Sequence, residues 1–323
     1  MTHFYFTIDT EYSAGLALRA GTGDRAGNFA RSIACDTPRG SVGVTYQAAV
    51  LAENGLKGVF FVDPFPALVW GVDAVRAVVE PVLALGHDVQ LHAHTEWLEL
   101  AGDANPLGKR TGRNIGDFSL DEQVLLLGLA RDLLVEAGCP APVAFRAGNY
   151  GANDDTLRAL AAIGLRYDSS HCPGIADGEC RIGLNSAVRQ PVERHGVIEV
   201  PVGAIGTPAG GLRHYQLTAL SSAELLGAAR HAVRSGQDCL TLVSHSFELL
   251  SRDRSRINRV VQRRFEALCA GLSRIKGLVS ATYRDNPPAV ATMAEASVLP
   301  PSRWRTGWRL AEQAAANALY GAR

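Results

Sequence analysis

The stretch HFYFTIDTEY, residues 3–12, is rich in aromatic and β-branched residues and reads as a β-strand. Strand side chains alternate between faces, so Phe4, Phe6 and Ile8 share one face while Tyr5, Thr7, Asp9 and Glu11 share the other. Two carboxylates therefore leave the end of this strand on the same side. Carboxylates held close together repel unless a cation or a proton separates them. The pattern suits a site in which one carboxylate binds an ion and the other stays free as a base.

Similar short strands recur at 57–62, 87–93, 143–147, 165–169, 197–202, 239–245 and 278–283. Helical stretches lie between most of them. Residues 120–137 carry leucines at helical spacing behind a Ser119/Glu122 capping-box pattern, and residues 221–235 repeat the scheme with Ser221 and Glu224. Residues 154–163 and 256–275 also read as helices. Repeated strand–helix units predict an α/β fold with a mainly parallel sheet and helices outside it. Seven or eight units suggest a closed or nearly closed barrel, with a doubly wound open sheet as the alternative. Two long polar segments, 13–40 and 99–118, interrupt the scheme and read as loops walling a substrate groove. After Asp285 the character changes. The segment 286–323 is expected to be a C-terminal extension to a 1–285 barrel, ending in a helix with Trp304 and Trp308 on one face. That helix would dock on the barrel or on a partner, or make a peripheral contact with a membrane surface.

Composition narrows the function. The chain has 323 residues, 47% of them apolar and 20% charged, enough to bury a full core. Lysine plus arginine equals aspartate plus glutamate at 32 each, so no net field favours nucleic acid. No apolar run is long enough to span a bilayer. The N-terminus lacks the features of a secretory signal, and a cytoplasmic protein is expected. The six cysteines form no C-x-x-C pair, which argues against a thiolate zinc site.

Three further strand ends carry chemistry. In GHDVQLHAHTEW (86–97), Gln90, His92, His94 and Glu96 fall on one face if the strand continues. If a helix begins after His92, then His92 and Glu96 come together at i and i+4. Either geometry supplies two ligands for a divalent ion, and imidazole with carboxylate suits zinc and its first-row neighbours. VAFRAGNYG (143–151) places Arg146 before a glycine-rich turn that holds Tyr150. An arginine orients a carboxylate and keeps it ionised, and turn N–H groups stabilise an oxyanion. TLVSHSFEL (241–249) puts His245 at the end of an apolar strand, where it would serve as a general acid or base.

Taken in order, D-x-E, then GHDVQLHxHxE, FRAGNYG, YDSS and a strand ending in SHS, the chain resembles the polysaccharide deacetylase family with its NodB-homology domain. It is most similar to the branch found near lipopolysaccharide and capsule biosynthesis. The likeness spans roughly residues 1–283. It implies a distorted (β/α) barrel of roughly seven strands and metal-dependent removal of acetyl groups from an N-acetylated carbohydrate, with zinc as the expected ion. By the same resemblance Asp9 is the catalytic base, Glu11 a metal-binding acid and His92 the first metal histidine. Arg146 orients the base, Tyr150 or its neighbour donates a backbone N–H to the oxyanion, and His245 is the general acid. Asp168 lies near the family's acid that supports that histidine. The family's second metal histidine sits four residues after the first. Here that position is Glu96, with His94 between, so the third ligand is Glu96 by register or else His94. Two rivals remain: a metal-dependent amidohydrolase, which would carry H-x-H on its first strand, and a non-catalytic glycan-binding protein of the same fold.

Overall fold

A computed structural model describes residues 1–321. Its main sheet contains β1 (Thr2–Thr10), β2 (Gly58–Val62), β3 (Asp88–Ala93), β4 (Ala144–Ala147), β5 (Tyr167–Asp168), β6 (Val192–Arg194), β7 (Val197–Glu199), β8 (Cys239–His245) and β9 (Leu278–Ser280). The spatial order is β8-β1-β2-β3-β4-β5-β7-β6, and β9 pairs with the start of β1 below β2. All pairings are parallel except the β6–β7 hairpin. Among the described residues, the far side of β8 meets no regular strand. Irregular chain covers it instead, with Gly203 N–H donating to the Thr241 carbonyl and Val243 N–H to the Tyr215 carbonyl. The result is a distorted (β/α) barrel rather than an open doubly wound sheet.

The alternation read along β1 explains the layering. Phe4, Phe6 and Ile8 face outward into the large core beneath the helices. Tyr5 faces inward with Val59, Phe61, Ala144 and Tyr167 around a central Tyr283. The Tyr283 ring lies 5.2 Å from Tyr5 and 5.5 Å from Tyr167, plugging the lower barrel. Above that plug the inward residues turn polar: Thr7, Asp9, His92 and Arg146 are all buried. Because the strands are parallel, their C-terminal ends share one rim. Register then puts Asp9 beside His245 and His92 beside Arg146.

The outer helices include α1 (Val44–Glu53), α2 (Val72–Ala84), α3 (Leu120–Glu136), α4 (Asp154–Ala162), α5 (Ser222–Arg234), α6 (Arg259–Leu272) and α7 (Arg303–Tyr320). Both expected capping boxes form, Ser119 with Glu122 and Ser221 with Glu224; an N-cap of this kind stabilises its helix by about 1 kcal/mol. The segment 13–40, expected as a loop walling a groove, carries regular structure of its own. It folds into two short helices, Ala14–Ala20 and Arg25–Ser32, and a hairpin pairing Asp36–Thr37 with Gly40–Ser41. Ser13 and Asp24 cap the two helices, which are too short to show an apolar period. The chain beyond Asp285 runs back along the barrel, and α7 is held by two ion pairs. Arg309 lies 3.3 Å from Glu224, and Arg264 lies 2.8 Å from Glu312. Trp304 and Trp308 stay on its exposed side. Among the described residues, no helix is long and apolar enough to cross a membrane.

Candidate active site

Arg146 is the centre of the rim. It is wholly buried, and Nη1 donates to Asp9 Oδ1 at 2.6 Å and to Thr7 Oγ1 at 2.8 Å. Its other nitrogens reach Ser169, Nε to the carbonyl at 3.0 Å and Nη2 to Oγ at 3.1 Å. The guanidinium lies 4.4 Å from the Phe61 ring centroid. One carboxylate oxygen of Asp9 is therefore fixed, and the other points toward His245, whose Nε2 is 3.9 Å away.

His245 Nδ1 is 3.0 Å from Glu248 Oε1, three residues on. Glu248 is itself held by Ser244 and Thr218 hydroxyls, each at 3.1 Å. Burial opposes a charge on this imidazole, but the Glu248 hydrogen bond and the charges of Glu248, Asp9 and Glu11 outweigh it, raising the pKa to about 9. His245 is thus protonated at neutral pH. The stability this contributes is complete below an imidazole's ordinary pKa and is lost as the pH rises through about 9. A proton NMR titration of ion-free protein is expected to show a His245 midpoint near that value, falling by at least about one unit in Glu248→Gln. An ordinary midpoint in the unaltered chain would remove Glu248 from this role.

Opposite Asp9 stand Glu11, His92 and His94, which offer three donor atoms within 4.8 Å of one another. Glu11 Oε2 is 3.2 Å from His92 Nε2 and 2.5 Å from His94 Nε2. Each imidazole has its second nitrogen committed elsewhere. His92 Nδ1–H donates to the Arg146 carbonyl at 2.6 Å, and His94 Nδ1 is 3.1 Å from Glu96 Oε2. Such outer partners set ring orientation and leave Nε2 free as a ligand. Two imidazoles and one carboxylate aimed at one point fit a divalent cation. Glu96 does not enter the cluster; it sits behind His94 and accepts a bond from Asn149 Nδ2 at 3.1 Å. After His92 the chain extends through His94 and enters a 3-10 turn at Thr95–Glu99, so the i and i+4 geometry does not form. Burial disfavours charge on Glu11, yet the neighbouring His94 and both imidazole bonds hold its carboxyl well below the usual range.

The turn after Arg146 has left-handed backbone at two successive non-glycine residues, Asn149 (φ 55°) and Tyr150 (φ 56°). Each costs about 1–3 kcal/mol and persists only where its surroundings impose it. Here Asn149 is tied to Glu96 and Asn114, and Gly148 packs directly on His94. A Cβ at Gly148 would lie 2.7 Å from the Ala93 carbonyl and 2.8 Å from the His94 ring. The Tyr150 hydroxyl is buried, with no hydrogen-bond partner among the described residues.

Asp168 is not brought to His245. It lies fully buried beneath Arg146, accepting from the Ser170 hydroxyl at 2.8 Å and the Ser170 N–H at 3.1 Å, and it pairs across the sheet with Glu199. Burial and the adjacent Asp168 charge push the Glu199 carboxyl well up. Ser170 Oγ in turn accepts the Ala147 N–H at 2.9 Å, so Asp168 braces the strand that carries Arg146.

Sequence reasoning passed over two residues at the same rim. Glu248 lies inside the TLVSHSFEL stretch, and Asp63 follows directly on β2. Asp63 Oδ1 accepts the Phe65 N–H at 3.1 Å, Oδ2 is buried without a partner, and burial pushes the carboxyl up to about 7. Its position immediately after a strand was the available signal.

No family model matches the chain, and neither does any curated protein. Solved structures do. A Mycobacterium smegmatis protein provisionally assigned as a polysaccharide deacetylase superposes with a TM-score of 0.56 at 18% identity, covering 91% of this chain and 95% of its own. What is shared is the fold. A family 4 carbohydrate esterase from Streptomyces lividans, in complex with acetate, gives a TM-score of 0.43 at 13% identity over 93% of this chain and 98% of its own. A 4-alpha-glucanotransferase from Thermococcus litoralis gives 0.50 at 8% identity over 93% of this chain and 42% of its own.

Proposed function

We propose that this chain is a metal-dependent deacetylase acting on an N-acetylated amino sugar, of the branch associated with lipopolysaccharide and capsule biosynthesis. One observation carries the reading: a three-donor cluster of Glu11, His92 and His94 shares a rim with a buried Asp9–Arg146 pair and a His245–Glu248 pair. A pure binding protein gains nothing from a buried base–arginine pair facing a protonated histidine.

In this reading Glu11, His92 and His94 hold a divalent ion, zinc by the chemistry of the donor set, which when bound supplies Lewis-acid polarisation and acidifies water. Glu96 and the Arg146 carbonyl orient the two imidazoles. Asp9, oriented by Arg146, takes the proton of the attacking water. The backbone N–H of Tyr150 or of its neighbour in the turn donates to the developing oxyanion. His245 gives its proton to the leaving amine, and Glu248 restores its preference for the protonated state.

The test combines metal analysis with acetate detection. After dialysis with zinc, the unaltered protein is expected to retain about one ion per chain and to release acetate from N-acetylated oligosaccharides. His92→Ala is expected to weaken ion binding by at least about 100-fold and to abolish acetate release. An unaltered protein that binds no ion would end the proposal. One that binds the ion but releases no acetate from any N-acetylated sugar would favour glycan binding instead.

A further inference from the structure

Away from the rim, a cavity of about 360 Å³ opens between the 36–41 hairpin, the 251–259 loop and the end of α7. Three arginines line it: Arg39, Arg256 and Arg259. Among the described residues none of the three has a carboxylate within ion-pair distance. Arg256 Nη2 donates to the Leu319 carbonyl at 3.2 Å, and Arg259 Nη1 donates to Gln262 Oε1 at 2.7 Å; these neutral acceptors leave both charges in place. The nearest acid is Asp253, which accepts from the Ser251 hydroxyl at 2.6 Å and the Ser255 hydroxyl at 2.8 Å and feels the Arg256 charge without reaching ion-pair distance; Asp36 is bonded to the Ser41 hydroxyl.

The placement is unfavourable for stability alone. Arg259 is the first residue of α6, whose first turn contains no acid. Cations at a helix N-terminus oppose the helix dipole, and three gathered cations repel one another. An anion in the cavity reverses both penalties. Arginine forks match phosphate oxygens, and Ile257, Leu319 and Tyr320 add an apolar wall, which a free inorganic ion does not need but an organic ester does.

The same loop leads to the catalytic rim. Two residues before Arg256, Arg254 turns inward with φ 56°, donates to Ser32 Oγ at 2.8 Å and lies 4.1 Å over the Phe247 ring. That ring is 5.4 Å from the ring of His245. We propose that the Arg39–Arg256–Arg259 cavity binds a phosphate or diphosphate ester, and that this ester is the anionic end of the sugar substrate. The second clause rests on the deacetylase reading; the first does not.

Isothermal titration with inorganic pyrophosphate tests the cavity, using protein dialysed free of divalent ions so that no chelate forms at the rim. Saturable 1:1 binding is expected, weakened at least about tenfold by Arg39→Gln and by Arg256→Gln. Asp9→Asn should bind as the unaltered protein does, so loss of turnover and loss of anion binding are separable. Absence of saturable binding, or binding that neither arginine variant alters, would overturn the site. Uridine diphosphate N-acetylglucosamine and farnesyl diphosphate then distinguish a nucleotide carrier from a lipid one. Whichever binds more tightly than pyrophosphate identifies the ester, and weaker binding of both overturns the link to substrate.

Discussion

Asp9→Asn is expected to lower kcat for acetate release by about 10²–10⁴-fold, the usual contribution of a positioned general base, while KM and ion content stay unchanged. The amide keeps an oxygen for the Arg146 Nη1 donor that now reaches Oδ1 at 2.6 Å, so the side chain has no reason to turn away. What disappears is the ability to accept a proton from water. Asp9 lies outside the Glu11/His92/His94 cluster, so metal analysis should find the variant loaded like the unaltered chain. Retained turnover would take the base role from Asp9. Loss of the ion together with turnover would show instead that Asp9 belongs to the metal site.

The largest effect on stability is expected at Arg146. Arg146→Met leaves Asp9 as a nearly buried carboxylate without its cation and strands the Ser169 carbonyl, while the Thr7 hydroxyl keeps only its bond to the Leu242 carbonyl. Removing one partner of a buried ion pair costs about 3–5 kcal/mol. Urea denaturation should show that loss as a lower midpoint at unchanged slope. The double variant Asp9→Asn/Arg146→Met should recover part of it, because no unpaired charge then remains. Arg146→Lys should fall between, since a lysine keeps the charge but cannot span Asp9, Thr7 and Ser169 with one planar fork. A single-variant loss below about 1 kcal/mol would mean that water reaches Asp9 once the arginine is gone.

Much of the fold was legible because both of its signals are local. Alternation along residues 3–9 separates the helix-facing Phe4, Phe6 and Ile8 from the barrel-facing Tyr5, Thr7 and Asp9, and the structure keeps that division. Ser119/Glu122 and Ser221/Glu224 mark helix starts through bonds that span three residues. The helices at Ala14–Ala20 and Arg25–Ser32 escaped because their caps are single residues and they span only 7 and 8 residues.

For the site, the division runs along the same line. Local pattern was enough to put Asp9, His92, Arg146 and His245 at the ends of parallel strands, since strand period and strand–helix alternation are properties of neighbouring residues. Which of these side chains meet depends on register between strands far apart in the chain, and the sequence pattern does not encode that directly. Only the tertiary structure set His94 rather than Glu96 beside Glu11, because the chain stays extended through His94 before it turns. Only packing gave His245 to Glu248 and set Asp168 beneath Arg146 alongside Glu199. Each of those choices turns on a few ångströms of backbone path after a strand ends, where hydrophobic periodicity stops and long-range contacts decide.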